Sequence, residues 1–190
     1  MKKLFILIVL VQFVGCGEPT KQTPKLTPTV DDTVTQPKDV KVQLLDFAGI
    51  EQLVASKKGQ VVVMDAWSTS CPPCLKEFPN LVELHKKHHQ DGVACISLSF
   101  DYEGIGTPDK VQPQVEEFLV SQGAVFDNVL SSEESDALYR KFKLASVPAV
   151  FVYDREGKLV KRFDNEDAAT EEDAFTYEQV SQLVQELIAK

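Results

Sequence analysis

The sequence predicts an α/β domain: a central mixed β-sheet flanked by helices, mostly parallel and finished by an antiparallel hairpin. Three observations carry this expectation. From Val40 onward, strand-like and helix-like segments alternate in the order β-α-β-α-β-α-β-α-β-β-α, and such alternation gives parallel strands joined by crossover helices. Val61-Val62-Val63-Met64 is a continuous apolar stretch, as expected of a strand buried on both faces, and Val93 to Phe100 reads as another buried strand. Finally, two late strand-like runs, Pro148 to Tyr153 and Lys158 to Phe163, flank Asp154-Arg155-Glu156-Gly157, which signals a hairpin.

Each element has its own local reason. Val40-Lys41-Val42-Gln43-Leu44 alternates with the period of a strand, and residues 48–57 read as a short helix ending before Gly59. After the strand that begins at Val61, Leu75 to Gln90 reads as a helix. Its apolar stripe runs through Leu75, Phe78 and Val82 and continues to His85 and His89. The strand at Val93 is followed by a long connection and a helix over 111–122. Val125 to Leu130 is a weak strand and 133–143 a helix. Beyond the hairpin, the acidic stretch 164–176 reads as a solvated connector. Val180, Leu183, Val184, Leu187 and Ile188 then recur at i, i+3, i+4, i+7 and i+8, so the chain closes with an amphipathic helix.

With 190 residues, 43% hydrophobic and 26% charged, the composition is that of an ordinary globular domain and excludes collagen-like, fully disordered and multi-span membrane classes. The length allows one domain of about 150 residues plus appendages. The net charge is −9 and the three arginines (Arg140, Arg155, Arg162) are widely spaced. That balance argues against nucleic acid as a partner, because phosphate neutralisation needs clustered Lys and Arg. Four cysteines are too few for a disulfide scaffold.

Lys2-Lys3 precedes an apolar run from Leu4 to Val14, interrupted only by Gln12. A run of about 11 residues is too short to span a bilayer and fits the core of an export signal. It ends at Phe13-Val14-Gly15-Cys16, which resembles a bacterial lipoprotein signal. The resemblance implies removal of residues 1–15, lipidation of Cys16 as the new N-terminus, and attachment to a bacterial membrane with the domain exported. Residues 16–39, rich in Thr, Pro, Lys and Gln, then read as a flexible lipid-anchored linker. The folded domain is expected over 40–190. Export also means an oxidising compartment.

The chemistry concentrates at Cys71-Pro72-Pro73-Cys74, directly after a buried strand and at the start of a helix. A sulfur at a helix N-terminus faces unpaired N–H groups and the positive end of the helix dipole, which favours the thiolate. With Cys71 as N-cap, the two prolines occupy the first helical positions and have no N–H, so the first available donor is the N–H of Cys74. Cys71 is thus the expected exposed attacking sulfur and Cys74 the shielded resolving one. A tetrahedral zinc site needs four ligands, whereas the only other cysteine beyond Cys16 is Cys95, in mid-strand.

The segment Asp65-Ala66-Trp67-Ser68-Thr69-Ser70-Cys71-Pro72-Pro73-Cys74-Leu75-Lys76-Glu77-Phe78-Pro79 resembles the active-site segment of the thioredoxin superfamily. It is most similar to the TlpA/ResA-type membrane-tethered thiol–disulfide oxidoreductases. Ser146-Val147-Pro148 is similar to the cis-proline loop of that family. The resemblance covers roughly residues 40–190 and implies a thioredoxin-like fold with an inserted segment around residues 102–123. It implies catalysis by Cys71 and Cys74, proton handling by Asp65 and Glu77, and substrate contact through Val147, Pro148, Trp67, Pro72 and Pro73. It further implies a protein-disulfide reductase without a cofactor. The implied partners are disulfide-bearing envelope proteins, apocytochrome c among them, and a membrane thiol transporter supplying electrons. Two departures from the family pattern, Ser70 before the first cysteine and Ala149 after the proline, change the rim of the site.

Other signals point elsewhere. Cys95 lies in an apolar strand and reads as a small core residue. His85 and His89, one helical turn apart, invite a metal reading, but Lys86 and Lys87 beside them would repel a cation. Two rival functions remain: a non-enzymatic copper-handling protein of thioredoxin-like fold, since thiolate and imidazole suit copper, and a peroxiredoxin-like peroxidase.

Overall fold

The structure, a computed structural model, describes residues 40–190. The expected signal segment 1–15, the lipidation site Cys16 and the linker 16–39 lie outside the described residues. Six strands and five helices alternate: β1 (Val42–Leu45), α1 (Phe47–Ser56), β2 (Val61–Trp67), α2 (Pro72–His88), β3 (Val93–Ser99), α3 (Gln112–Gln122), β4 (Asp127–Ser131), α4 (Ser135–Phe142), β5 (Ala149–Tyr153), β6 (Leu159–Phe163) and α5 (Tyr177–Ile188). The sheet order is β1-β4-β3-β2-β5-β6. The pairs β1–β4, β4–β3 and β3–β2 are parallel, and β2–β5 and β5–β6 antiparallel. The mixed sheet has the expected parallel body and hairpin end.

All seven residues of β2 are buried, which explains the unbroken apolar run Val61–Met64 at its start. Because side chains alternate along a strand, β2 feeds two cores. Val61, Val63 and Trp67 pack with Phe78 of α2, Leu119 of α3 and Val184 of α5. Val62, Met64 and Ala66 pack with Ile50 of α1 and Leu138 of α4. Each such aliphatic or aromatic side chain contributes about 1.5–3 kcal/mol relative to exposure. Asp65 lies on the first face, in register with Ser97 of β3 and Val150 of β5.

The stripe of α2 differs from expectation at its end. Cys74, Phe78, Leu81, Val82, Leu84 and His88 are buried, whereas His89 is exposed. After α2 ends, the chain tightens into a 3-10 turn over His89–Asp91. The inward steps of three and four residues therefore finish at His88, whose Nδ1 meets Asp91 at 3.0 Å. His85 is half-buried, its ring packed against Phe126.

Candidate active site

β2, an inner strand, delivers the chain to the C-terminal end of the parallel strands, and a polar clamp holds the next three residues. Asp101, just past β3, accepts from the Thr69 N–H at 2.9 Å, the Thr69 hydroxyl at 2.5 Å and the Ser68 hydroxyl at 3.2 Å. Its other oxygen accepts from Ser99 Oγ at 2.6 Å. Gln114 of α3 donates to Thr69 Oγ1 at 2.7 Å. The long connection after β3 therefore returns a helix to brace the loop ahead of Cys71. Ser70 is exposed, with its hydroxyl 2.9 Å from that of Ser68.

Cys71 is the N-cap of α2, with Pro72 and Pro73 at the first helical positions, and the Cys74 N–H donates to Cys71 Sγ at 3.2 Å. This is the donor that remains when two prolines remove the others. The two cysteines are joined as a disulfide with a Cα–Cα separation of 5.3 Å. Cys71 is part-exposed and Cys74 only 3% exposed. The Val147–Pro148 bond is cis, and the Val147 carbonyl oxygen lies 3.7 Å from Cys71 Sγ.

Pro72, Pro73, Lys76, Glu77 and Pro148 form one bank of a cleft of about 970 Å³, and the connector from Asn165 to Thr176 forms the other. That connector is exposed at most of its residues, as the sequence suggests, but its start is fastened to the rest of the domain. Arg162 Nε meets Asp164 at 2.5 Å, Nη2 meets Glu166 at 3.2 Å and Nη1 donates to the Lys143 carbonyl at 2.7 Å. Glu166 also accepts from the Ala145 N–H at 3.0 Å, and Asn165 Oδ1 from the Phe175 N–H at 3.0 Å. Asp164 and Glu166 thus meet internal partners, which anchors the start of the loop beside the cleft.

Asp65, 4% exposed on β2 six residues before Cys71, accepts a hydrogen bond from the hydroxyl of Tyr177, whose ring packs in the core that holds Cys74. Burial pushes its carboxyl up to about 7; the Tyr177 hydrogen bond opposes this rise and the charge of Glu77 adds to it. Burial also holds the Tyr177 phenol well above its ordinary value, with the neighbouring Asp65 charge adding. Glu77 is half-buried and faces the cleft, accepting from Asn80 Nδ2 at 2.8 Å. Cys95 is buried in the same core, and burial raises its thiol, as does Asp65.

The structure brings Cys71, Cys74, Pro72, Pro73, Val147, Pro148 and Glu77 together at one surface, with Asp65 buried on β2. Trp67 requires a correction. It is 0% exposed, its ring packed 5.0 Å from Phe78 and 4.8 Å from Phe118. A side chain enclosed on this scale supports the site from underneath and offers no face to a substrate. Two residues escaped the sequence reading. Asp101 and Tyr177 reach the site across 32 and 112 residues, and neither belongs to a local pattern. The one available hint was that a Tyr opening the last amphipathic helix needs a partner for its hydroxyl.

A family model described as Redoxin matches residues 28–180. Among curated proteins, the chain is 25% identical over 126 residues to sporulation thiol-disulfide oxidoreductase A of Bacillus subtilis, covering 66% of this chain and 72% of that protein. It is 26% identical over 133 residues to thiol-disulfide oxidoreductase ResA of Bacillus thuringiensis, covering 70% of this chain and 65% of that one, just under two thirds of its length. Among solved structures, a thiol:disulfide interchange protein of Chlorobium tepidum superposes with a TM-score of 0.54 at 19% identity, covering 70% of this chain and 83% of that one. A secreted disulfide oxidoreductase of Mycobacterium tuberculosis gives 0.53 at 19% identity, covering 70% and 86%. These structural likenesses show the thioredoxin-like fold.

Proposed function

Since the chain belongs to the Redoxin family and is a ResA-like thiol–disulfide oxidoreductase of the thioredoxin superfamily, we propose that it works as a reductase of protein disulfides through Cys71 and Cys74. In the reduced protein, the Cys71 thiolate attacks one sulfur of a client disulfide, and the other client sulfur leaves as a thiolate. Cys74 then loses its proton to Asp65 or Glu77 and attacks Cys71 Sγ. The Cys71–Cys74 bond forms, the bond from Cys71 to the client breaks, and the client departs with two electrons more than it brought. The Val147 backbone lies where an extended client segment would pair with it, and Pro72, Pro73 and Pro148 line the approach.

The observation that carries this reading is the asymmetry of the pair. Cys71 is part-exposed and capped by the Cys74 N–H, while Cys74 is enclosed. Such an arrangement favours attack by the first sulfur and resolution by the second. The curated relatives above are thiol–disulfide oxidoreductases by name, which supports dithiol exchange over the copper-handling and peroxidase alternatives.

The setting belongs to the same proposal. Residues 1–15 serve as an export signal, Cys16 carries lipid, and residues 16–39 tether the domain outside the cytoplasmic membrane. There the pair reduces disulfides of envelope proteins, apocytochrome c among them, with electrons from a membrane thiol transporter. Equilibration of the Cys71/Cys74 couple with glutathione tests the direction of electron flow. A couple more reducing than glutathione is expected, and one as oxidising as a disulfide-forming catalyst overturns the assignment. Labelling cells with a radioactive fatty acid tests the anchor. Label lost in Cys16→Ser supports it, and label absent from the unaltered protein overturns it.

A further inference from the structure

We propose that Tyr177 is a positioning residue for the resolution step, its hydroxyl orienting the buried Asp65 carboxylate that receives the proton of Cys74. This rests on Asp65 being the proton acceptor.

Among the described residues, the Tyr177 hydroxyl is the only group donating a hydrogen bond to Asp65. It occupies Oδ2 and leaves Oδ1 as the free accepting oxygen. The other neighbours supply no donor. Ser97, beside Asp65 in β3, gives its hydroxyl to Asn128 at 2.8 Å, and the β5 neighbour Val150 is apolar. The titratable groups facing Asp65 are Tyr177 from α5, Glu77 from α2 and Cys95 from β3.

Tyr177 is also well placed to hold a fixed orientation. It opens α5, is 5% exposed and packs in the core that contains Cys74 and Trp67. The Gln179 side chain accepts from the Thr176 N–H at 3.1 Å, and Val180, Val184 and Leu187 bury the helix. The phenol cannot swing away without emptying part of that core. Its hydrogen bond favours the charged carboxylate and counteracts burial, so Asp65 stays able to accept a proton at neutral pH. When Cys74 gives its proton to Oδ1, the resulting thiolate displaces the client thiolate from Cys71. Atoms and electrons balance within the pair and its client.

The test uses the full chain, reduced, with Cys71 loaded as a mixed disulfide with thionitrobenzoate. Attack by Cys74 releases the coloured thiolate, and the release rate is followed across neutral pH. The unaltered protein should show a rising limb centred near 7. Asp65→Asn should remove that limb. Tyr177→Phe should keep it but move it to higher pH by about one unit, as expected for losing a hydrogen bond to a charged group. If Asp65→Asn leaves the limb intact, Asp65 is not the acceptor and both ideas fall. If Asp65→Asn removes the limb while Tyr177→Phe leaves its midpoint unmoved, or lowers the rate equally at every pH, the Tyr177 role alone falls. Replacing all four tyrosines with 3-fluorotyrosine keeps the side-chain volume and strengthens the donor. It should move the limb to lower pH, and an unmoved limb overturns the proposal even where Tyr177→Phe does not fold.

Discussion

Asp101 receives both the N–H and the hydroxyl of Thr69, at 2.9 Å and 2.5 Å, and so ties the turn before Cys71 to the end of β3. Cys71 sits two residues beyond that tie. Its position thus depends on a carboxylate that touches neither cysteine.

Asp101→Ala should remove the acceptor for the Ser68 and Thr69 donors together. Leaving part-buried donors unsatisfied costs about 1–3 kcal/mol. Urea unfolding of the oxidised protein should show that loss, and turnover of a disulfide substrate should fall several-fold. Unchanged stability and turnover would show that the turn holds its shape without the clamp.

The two cysteines should fail differently. Cys71→Ser is expected to abolish exchange. Cys74→Ser is expected to attack and then stall, leaving client and protein covalently joined and visible by non-reducing electrophoresis or mass spectrometry. Trapping by Cys71→Ser instead would reverse the assigned roles.

Asp65 links stability to pH. Its carboxyl is held at about 7 in the folded chain, above the ordinary unfolded value near 4. The folded state therefore binds this proton more tightly. The contribution is most favourable at acid pH, declines as pH rises through the range between the two values, and levels off above about 7. Asp65→Asn should accordingly stabilise the oxidised protein in mildly alkaline buffer, by on the order of 4 kcal/mol at most, with little gain near pH 4. Chemical denaturation at the two pH values checks the sign, and equal effects at both would refute the linkage.

Trp67→Ala should act as a core truncation, costing about 3–5 kcal/mol. Trp67→Phe, which keeps an aromatic ring against Phe78 and Phe118, should retain client affinity. A loss of client affinity in Trp67→Phe at unchanged stability would restore a contact role to the indole.

The sheet was legible because β2 opens on the apolar run Val61–Met64 and β3 is largely apolar, and the hairpin because Gly157 and its neighbours mark a turn. The Cys74 N–H cap could be read from the two prolines alone, since they remove every earlier donor. Asp101, Tyr177 and the anchoring of Asp164 and Glu166 by Arg162 were not legible. Each depends on pairing between segments: a carboxylate at one strand end meeting a loop from another, a phenol crossing to β2, an arginine joining two carboxylates to the Lys143 carbonyl. Local periodicity has no record of such meetings. The end of the α2 stripe was misread because the 3-10 turn after His88 changes the step of the helix.

The far bank of the cleft is chain that the sheet does not use. Arg162 pins it at its foot, on β6, while Asn165 and Phe175 draw it closed. This bank can therefore change in sequence without disturbing the strands and helix that carry the sulfur pair. A segment with another sequence, grafted between Arg162 and Thr176, should leave turnover of a small disulfide unchanged while altering which bulkier disulfides the couple can reach.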